Sequence, residues 1–298
     1  MPPKQPFRAG TIAIVGRPNV GKSTLLNALV GQKLAITSRK PQTTRHRLAG
    51  ILTRDDVQYV FVDTPGFQTR HRGALNKMLN RRVRETLEGV DVVLFVAEAG
   101  TLGPEDRAVI RLLPENVPVV LVVNKADLIP APERMLPFLA GAGESFAFSA
   151  VVPLSAGKKR NLESLLGAVA PLLPEQPPLF DVDTLTDRSE RFLAAELLRE
   201  KLFRNLGDEI PYGSAVIIEK YEEEGALRRI HAAIVVEKPG HKAIVIGRGG
   251  EKLKEIASAA RRDMEALFGG KVFLEVWVKV RPGWTESEAA IRGLGEAS

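Results

Sequence analysis

Gly16-Arg17-Pro18-Asn19-Val20-Gly21-Lys22-Ser23 sets two glycines five residues apart and follows the second with a lysine and a hydroxyl. Glycines let a backbone wrap closely around an anion. Successive N–H groups and a helix N-terminus then supply positive field. In this pattern Lys22 reaches the β and γ phosphates of a nucleotide, and the Ser23 hydroxyl, followed by Thr24, faces Mg²⁺. Asp63-Thr64-Pro65-Gly66 closes a strand-like run, where an Asp can hold Mg²⁺ through water and the Gly66 N–H can sense a γ-phosphate. Asn124-Lys125-Ala126-Asp127 closes a later run. A buried carboxylate at Asp127 accepts from guanine N1–H and the 2-amino group. Adenine offers neither donor, and losing a charged hydrogen bond costs about 1.5–3 kcal/mol. Ser155-Ala156-Gly157 can turn a backbone N–H toward the guanine O6. Alone, the last three are ordinary strand-end turns; behind a phosphate loop they form a set.

A second anion-binding pattern lies near the C-terminus. Val245-Ile246-Gly247-Arg248-Gly249-Gly250-Glu251-Lys252-Leu253 reads as helix, G-x-x-G break, helix. Two glycines flanking two residues admit a phosphate backbone, Lys242, Arg248 and Lys252 add positive potential, and Ile246 offers an apolar floor for bases. From Lys238 to Arg281 there are ten basic and five acidic side chains; from Lys33 to Arg54 six basic and none acidic. Such stretches suit a polyanionic partner, or a solvated charged face.

These residues need elements to hold them. TIAIVG at 11–16, VQYVFVDT at 57–64, VVLFVAEA at 92–99 and VPVVLVVN at 117–124 are continuous apolar runs, as expected of strands covered on both faces. KSTLLNALVG reads as a helix, with further helical segments near 74–88, 103–113, 131–140 and 160–172. Alternation of this kind gives an α/β fold with a mainly parallel sheet. PLLPEQPPLFD at 171–181 is a proline-rich linker, which places a domain boundary near 178: residues 1–178, then 179–298. The second part reads as a helix at 190–206, strands at 214–224 and 228–238, the helix pair at 241–268 and an alternating strand at 271–280, an α+β module. Trp277 is expected in its core and Trp284 is left open. Thr285 and Glu288 fit the capping box of a short last helix.

The 298 residues suffice for two domains of ordinary globular composition, and the formal net charge is +6. With no cysteine and four scattered histidines, disulfides, thiol nucleophiles and zinc centres are not expected. MPPKQPFRAG has no apolar core for a signal peptide, and no run reaches 18 uncharged apolar residues, so no transmembrane helix is expected.

The four motifs of the first half, in this order, resemble the P-loop GTPase family. The resemblance implies that Thr43 or Thr44 in PQTTRHR is the switch threonine. Thr44 is preferred, because it immediately precedes the Arg-His-Arg run. Ser23, Thr44 and Asp63 would then attend Mg²⁺, and Lys22, Thr44 and Gly66 would support the transition state. Phe67 stands where Ras-like enzymes carry a water-orienting glutamine, so no side-chain base declares itself and slow intrinsic hydrolysis is expected. Asn19 matches the asparagine that binds K⁺ in related GTPases.

The second half is similar to a type II KH domain, a binder of single-stranded nucleic acid. GRPNVGKS, QTTRH, DTPGF and NKAD followed by that module resemble the Era family of bacterial GTPases over nearly the whole chain. That resemblance implies GTP and GDP as ligands, binding to the 3′ end of 16S rRNA, and help in assembling and maturing the small (30S) ribosomal subunit. It also implies a cytoplasmic location with peripheral contact at the inner membrane face. A GTPase of tRNA modification and a constitutive RNA-binding assembly factor with GTP as a structural ligand are the alternatives.

Overall fold

A computed structural model describes residues 6–38, 40, 43–67, 74–100, 102–129, 133, 135–207 and 209–284. The chain divides into two compact units, residues 1–35 with 44–187, and residues 36–43 with 188–298.

The first unit runs β1 (Arg8–Val15), α1 (Lys22–Val30), β2 (Leu48–Thr53), β3 (Val57–Asp63), α2 (Ala74–Leu87), β4 (Val92–Glu98), α3 (Pro104–Ile110), β5 (Val119–Asn124), α4 (Met135–Ser145), β6 (Ala150–Pro153) and α5 (Leu162–Val169). Its six-stranded sheet has the order β2-β3-β1-β4-β5-β6. All neighbours are parallel except β2 and β3. Every residue of β3 and β5 is buried, which accounts for their largely apolar runs, Gln58 and Asp63 being the buried polar residues of β3. Phe95, Leu121 and Val123 pack with Val83 and Leu87 of α2 and Ala108 and Val109 of α3. The strand β2 is an addition to the expected elements. It lies in the basic 33–54 stretch and pairs back on β3 through a turn closed by Arg54 N–H to Val57 O at 2.8 Å.

After a 3-10 turn at Ala170–Leu172, the proline-rich segment stays on the first unit well beyond residue 178. Gln58, fully buried, receives the N–H groups of Leu179 and Phe180 and donates to the Phe180 carbonyl. Ile51 N–H reaches Leu185 O at 2.9 Å and Ala49 N–H reaches the Asp187 carboxylate at 2.9 Å.

The second unit runs α6 (Glu190–Asn205), β7 (Ser214–Glu224), β8 (Leu227–Val236), α7 (Pro239–Ile246), α8 (Glu251–Phe268) and β9 (Lys271–Val280). Its sheet is ordered β7-β8-β9, antiparallel then parallel. Ile230, Ala232, Ile234 and Val236 of β8 are buried. So are Ile256, Ala260, Met264 and Phe268, the i, i+4 stripe of α8. Trp277 corrects the expectation of a core role. It is only partly buried, with Lys279 Nζ 5.6 Å from its ring centroid and the His231 ring edge-on at 6.1 Å. Trp284 is the buried one, packed against Ala215 and Val235. The last helix expected from Thr285 and Glu288 lies outside the described residues.

Residues 36–43 group with this unit, and within them Thr37 and Thr43 make polar contacts to α6. Arg199, 3% exposed, donates to the Thr43 carbonyl at 2.6 Å and pairs with Glu196 at 2.7 Å. Glu200, fully buried, accepts from the Thr37 hydroxyl at 3.3 Å and pairs with Arg204 at 2.5 Å.

Candidate functional site

In the first sheet β1 has β3 on one side and β4 on the other, so the order reverses beside it. Loops at the C-terminal ends of strands at such a point line a ligand crevice. Residues 16–21 form the loop after β1, and Lys22 opens α1. Asn19 turns in the left-handed region (φ 65°), which asparagine tolerates, and its side chain is exposed. Gly21 (φ 100°) is required twice over. Its backbone is left-handed, and a Cβ there would lie 2.3 Å from Asn124 Nδ2. Gly66 lies against Pro18, where a Cβ would come within 2.8 Å of the Pro18 Cα.

Lys22 crosses the loop and donates to Gly16 O at 3.1 Å and Arg17 O at 3.0 Å. Burial depresses its pKa to about 8, against the opposing pull of the Asp63 charge, and Arg17 adds to the depression. The Arg17 side chain turns to Glu98 and Asp106.

Three oxygens meet beside Lys22. Ser23 Oγ donates to Asp63 Oδ2 at 2.7 Å, Thr44 Oγ1 lies 3.1 Å from the same atom, and the two hydroxyls are 2.9 Å apart. Of the two candidate threonines Thr44 therefore stands in this cluster, whereas the Thr43 hydroxyl donates to Lys40 O at 2.9 Å. Burial pushes the Asp63 carboxyl above its ordinary range, opposed by hydrogen bonds from Ser23 and Thr44 and by the Lys22 charge. Asp63 Oδ1 is buried without a hydrogen-bond partner among the described residues. Two hydroxyls and a carboxylate with a spare oxygen are hard donors of the kind Mg²⁺ takes, so the residues fit that ion. Thr64 anchors its turn by donating to Ile14 O at 2.8 Å. Phe67 is buried in the core cluster, so its ring is withdrawn from any attacking water.

On the base side Asn124, 2% exposed, donates to Val20 O at 2.7 Å and accepts the Ala156 N–H at 3.0 Å. It ties together the phosphate loop, the Asn124–Asp127 turn and the Ser155–Gly157 turn. Lys125 takes the left-handed conformation (φ 61°), and Ala126 N–H donates to Leu154 O at 3.0 Å. Asp127 departs from expectation. It is exposed on a 3-10 turn at Ala126–Leu128, and the buried member of the motif is Asn124. With the Ala156 N–H engaged by Asn124, the exposed Gly157 is the next residue able to turn an N–H toward a base.

In the second unit the G-x-x-G break separates α7 from α8 as a 3-10 turn at Arg248–Gly250. Gly247 (φ 73°) lies so close to α8 that a Cβ would sit 2.6 Å from that of Lys252. Gly250 (φ 83°) caps α8, and Arg248 and Gly249 are exposed between them. Ile246 and Lys242 are partly buried beside the loop, Ile244 is 54% exposed, and Lys252 pairs with Glu255 at 3.1 Å.

Both units have counterparts among known proteins. The 50S ribosome-binding GTPase family model matches residues 11–125, and a KH domain model matches 209–285. The GTPase Era of Nitrosomonas eutropha is 56% identical over 97% of this chain and 98% of its own length. That of Chromobacterium violaceum is 55% identical over 97% and 98%. Two solved structures superpose with a TM-score of 0.93 at 37% identity, over 98% of this chain and all of theirs. One is a single-residue variant of Aquifex aeolicus Era bound to GDP·AlF4⁻, and the other is Era with MgGDPNP and nucleotides 1506–1542 of 16S ribosomal RNA.

Fold and site together define a P-loop GTPase joined to a KH-type module. The chain belongs to the Era family of GTPases. No helix among the described residues is long and apolar enough to cross a membrane.

Proposed function

We propose that this GTPase binds the 3′ end of 16S rRNA through its G-x-x-G loop and serves as a nucleotide-controlled factor in maturation of the small ribosomal subunit. The convergence of Ser23, Thr44 and Asp63 beside Lys22 carries the switch part of this reading. Residues 1–178 act as the nucleotide domain, with residues 179–187 packed on it, and the remainder to 298 as linker helix and RNA-binding domain. When bound, Mg²⁺ would offset phosphate charge; Ser23, Thr44 and Asp63 would hold it. Lys22 and Gly66 serve the β and γ phosphates, Asp127 reads the guanine N1 and 2-amino donors, and the Ser155–Gly157 turn its O6. Gly247, Arg248, Gly249, Gly250, Lys242, Lys252 and Ile246 take the RNA strand.

With Phe67 buried, no side-chain base stands beside the Ser23–Asp63 cluster among the described residues, and intrinsic turnover is slow. Asn19, exposed on the loop, is placed to help hold a K⁺ ion near the phosphates. Equal GTP turnover in Na⁺ and K⁺ buffers would remove that role. The protein works in the cytoplasm, its basic balance allowing peripheral contact with anionic membrane.

Coupling between the two activities is supported by the adjacent residues Thr43 and Thr44. Thr43 is held by Arg199 of α6 through its carbonyl, and its neighbour Thr44 enters the Ser23–Asp63 cluster. A ligand that holds Thr44 therefore biases the segment that α6 grips. The test is the affinity for a single-stranded oligonucleotide of the 16S 3′ end, measured with a GTP analogue and with GDP, alongside phosphate release. Equal affinities remove the coupling. No phosphate release removes the switch and leaves a constitutive RNA binder. No preference for the oligonucleotide over its complement removes the RNA assignment.

A further inference from the structure

The sheet order β1-β4-β5 sets β4 between the strand that feeds the phosphate loop and the strand that feeds the Asn124–Asp127 turn. The C-terminal residue of β4 thus stands between those two loops, and it is Glu98, in register with Asn124. One oxygen of its carboxylate, Oε2, lies 3.1 Å from Arg17 Nη2 and 3.1 Å from Lys125 Nζ. Arg17 is held a second time, by Nε to Asp106 Oδ2 at 3.2 Å. Asp106 is fully buried and fixed by the Gly103 N–H at 3.0 Å. Partial burial would raise the Glu98 carboxyl, but hydrogen bonds and charge from Lys125 and Arg17 outweigh it and hold it below its ordinary range.

The Arg17 guanidinium is turned onto these carboxylates, while the Arg17 carbonyl helps hold the Lys22 ammonium at 3.0 Å. Fixing the Arg17 side chain therefore fixes the backbone on which Lys22 rests. Lys125, in a left-handed conformation, starts the turn that carries Asp127. Buried Asn124 joins the two loops through Val20 O and Ala156 N–H, and partly exposed Glu98 joins them again through Arg17 and Lys125.

We infer that Glu98 is a positioning residue for nucleotide binding, acting through Arg17 and Lys125 so that the phosphate loop and the base-recognition turn are set as one body. The inference rests on the nucleotide-site reading above. It assigns Glu98 an effect on affinity rather than on the chemical step, since it reaches the nucleotide through other side chains.

Release of a fluorescent GDP and steady-state GTP turnover test it. Uptake of GDP by the wild-type chain is measured first, because its absence would overturn the site reading itself. In Glu98→Gln, GDP affinity falls about tenfold, and KM for GTP rises to match. The turnover rate at saturation stays within about twofold. Arg17→Ala and Lys125→Ala, measured singly and together, are non-additive in the Glu98 background and additive in Glu98→Gln. In the Arg17→Ala/Lys125→Ala protein, Glu98→Gln changes nothing further. Because that comparison is made within folded, nucleotide-binding variants, it separates positioning from general destabilisation. Unchanged affinity in Glu98→Gln, or the same coupling between Arg17 and Lys125 with Glu98 removed, overturns the inference.

Discussion

Asn124 and Ala156, 32 residues apart in sequence, meet through a 3.0 Å hydrogen bond from the Ala156 N–H to the Asn124 carboxamide oxygen, both residues being buried. The same carboxamide donates to Val20 O, so one side chain satisfies two buried backbone groups. Asn124→Ala orphans both. Each unsatisfied buried group costs about 1–3 kcal/mol, so the variant should lose about 2–4 kcal/mol of stability and bind GDP more weakly by at least about tenfold. Urea unfolding and GDP titration check the two effects. A stable variant with normal GDP affinity would contradict them.

Neighbouring threonines should behave very differently. Thr44 lies within hydrogen-bond reach of Ser23 and Asp63, whereas Thr43 turns its hydroxyl to Lys40 O. Thr44→Ala should raise the Mg²⁺ concentration needed for half-maximal GTP turnover about tenfold and lower the maximal rate, with GDP affinity changed less than about threefold. Thr43→Ala should change each by less than about threefold. Reversal of that order would transfer the switch role to Thr43.

Lys22 makes nucleotide affinity depend on pH in a known direction. Burial holds its pKa at about 8 in the free protein, and bound phosphates favour the charged form and raise it. Below about pH 7 the amine is charged both free and bound, so affinity is flat. Above about pH 8 the free protein has lost a proton that the complex must regain. Affinity therefore falls by up to about tenfold per pH unit until the pKa of the complex is reached. Calorimetry at about pH 9 in two buffers of different ionisation heat should report uptake of close to one proton. No uptake there would mean that Lys22 does not meet the phosphates.

Much of this architecture is legible in the chain itself. Apolar runs that end in glycine, aspartate or asparagine mark the parallel strands together with the loops at their ends. The G-x-x-G break between two helical patterns, with two strands before it and one after, marks the second unit. What escapes such reading depends on tertiary context. β2 is short and carries glycine between alanine and isoleucine, and its pairing with β3 is a long-range fact. Alternation along β9 tells that its residues take opposite faces. It does not tell that the valine parity is the covered one and that Phe273 and Trp277 take the other face. Nor does spacing reveal Glu98 and Asp106, because what makes them partners of Arg17 is the sheet order, not the sequence. The one visible sign is an acid inside the apolar run VVLFVAEA.

The two tryptophans should differ in their worth to stability. Trp284 is 5% exposed and packs on Ala215 and Val235, so Trp284→Ala leaves a cavity and should cost about 3–5 kcal/mol. Trp277 is partly open on its sheet face and should cost about 1 kcal/mol when truncated, mostly the lost contacts with Lys279 and His231. Chemical unfolding of both variants, followed by circular dichroism, checks the ranking. Equal losses would place Trp277 in the core after all.

Arg248 is the exposed cation at the tip of the G-x-x-G loop, flanked by glycines whose left-handed backbone fixes the turn. A phosphate contact of this kind contributes affinity by releasing condensed counterions, without reading sequence. Arg248→Ala should therefore weaken binding of a single-stranded RNA by a similar factor for matched and unmatched sequences, and reduce the slope of log K against log salt by about 0.7. Gly247→Ala acts by another route, since the new Cβ would meet Lys252 at 2.6 Å and displace the start of α8. It should lower both RNA affinity and thermal stability, whereas Arg248→Ala should leave the melting temperature unchanged. RNA titrations between about 50 and about 300 mM salt, with melting curves of both proteins, distinguish the two effects. An unaltered salt slope in Arg248→Ala would place the RNA backbone away from this loop.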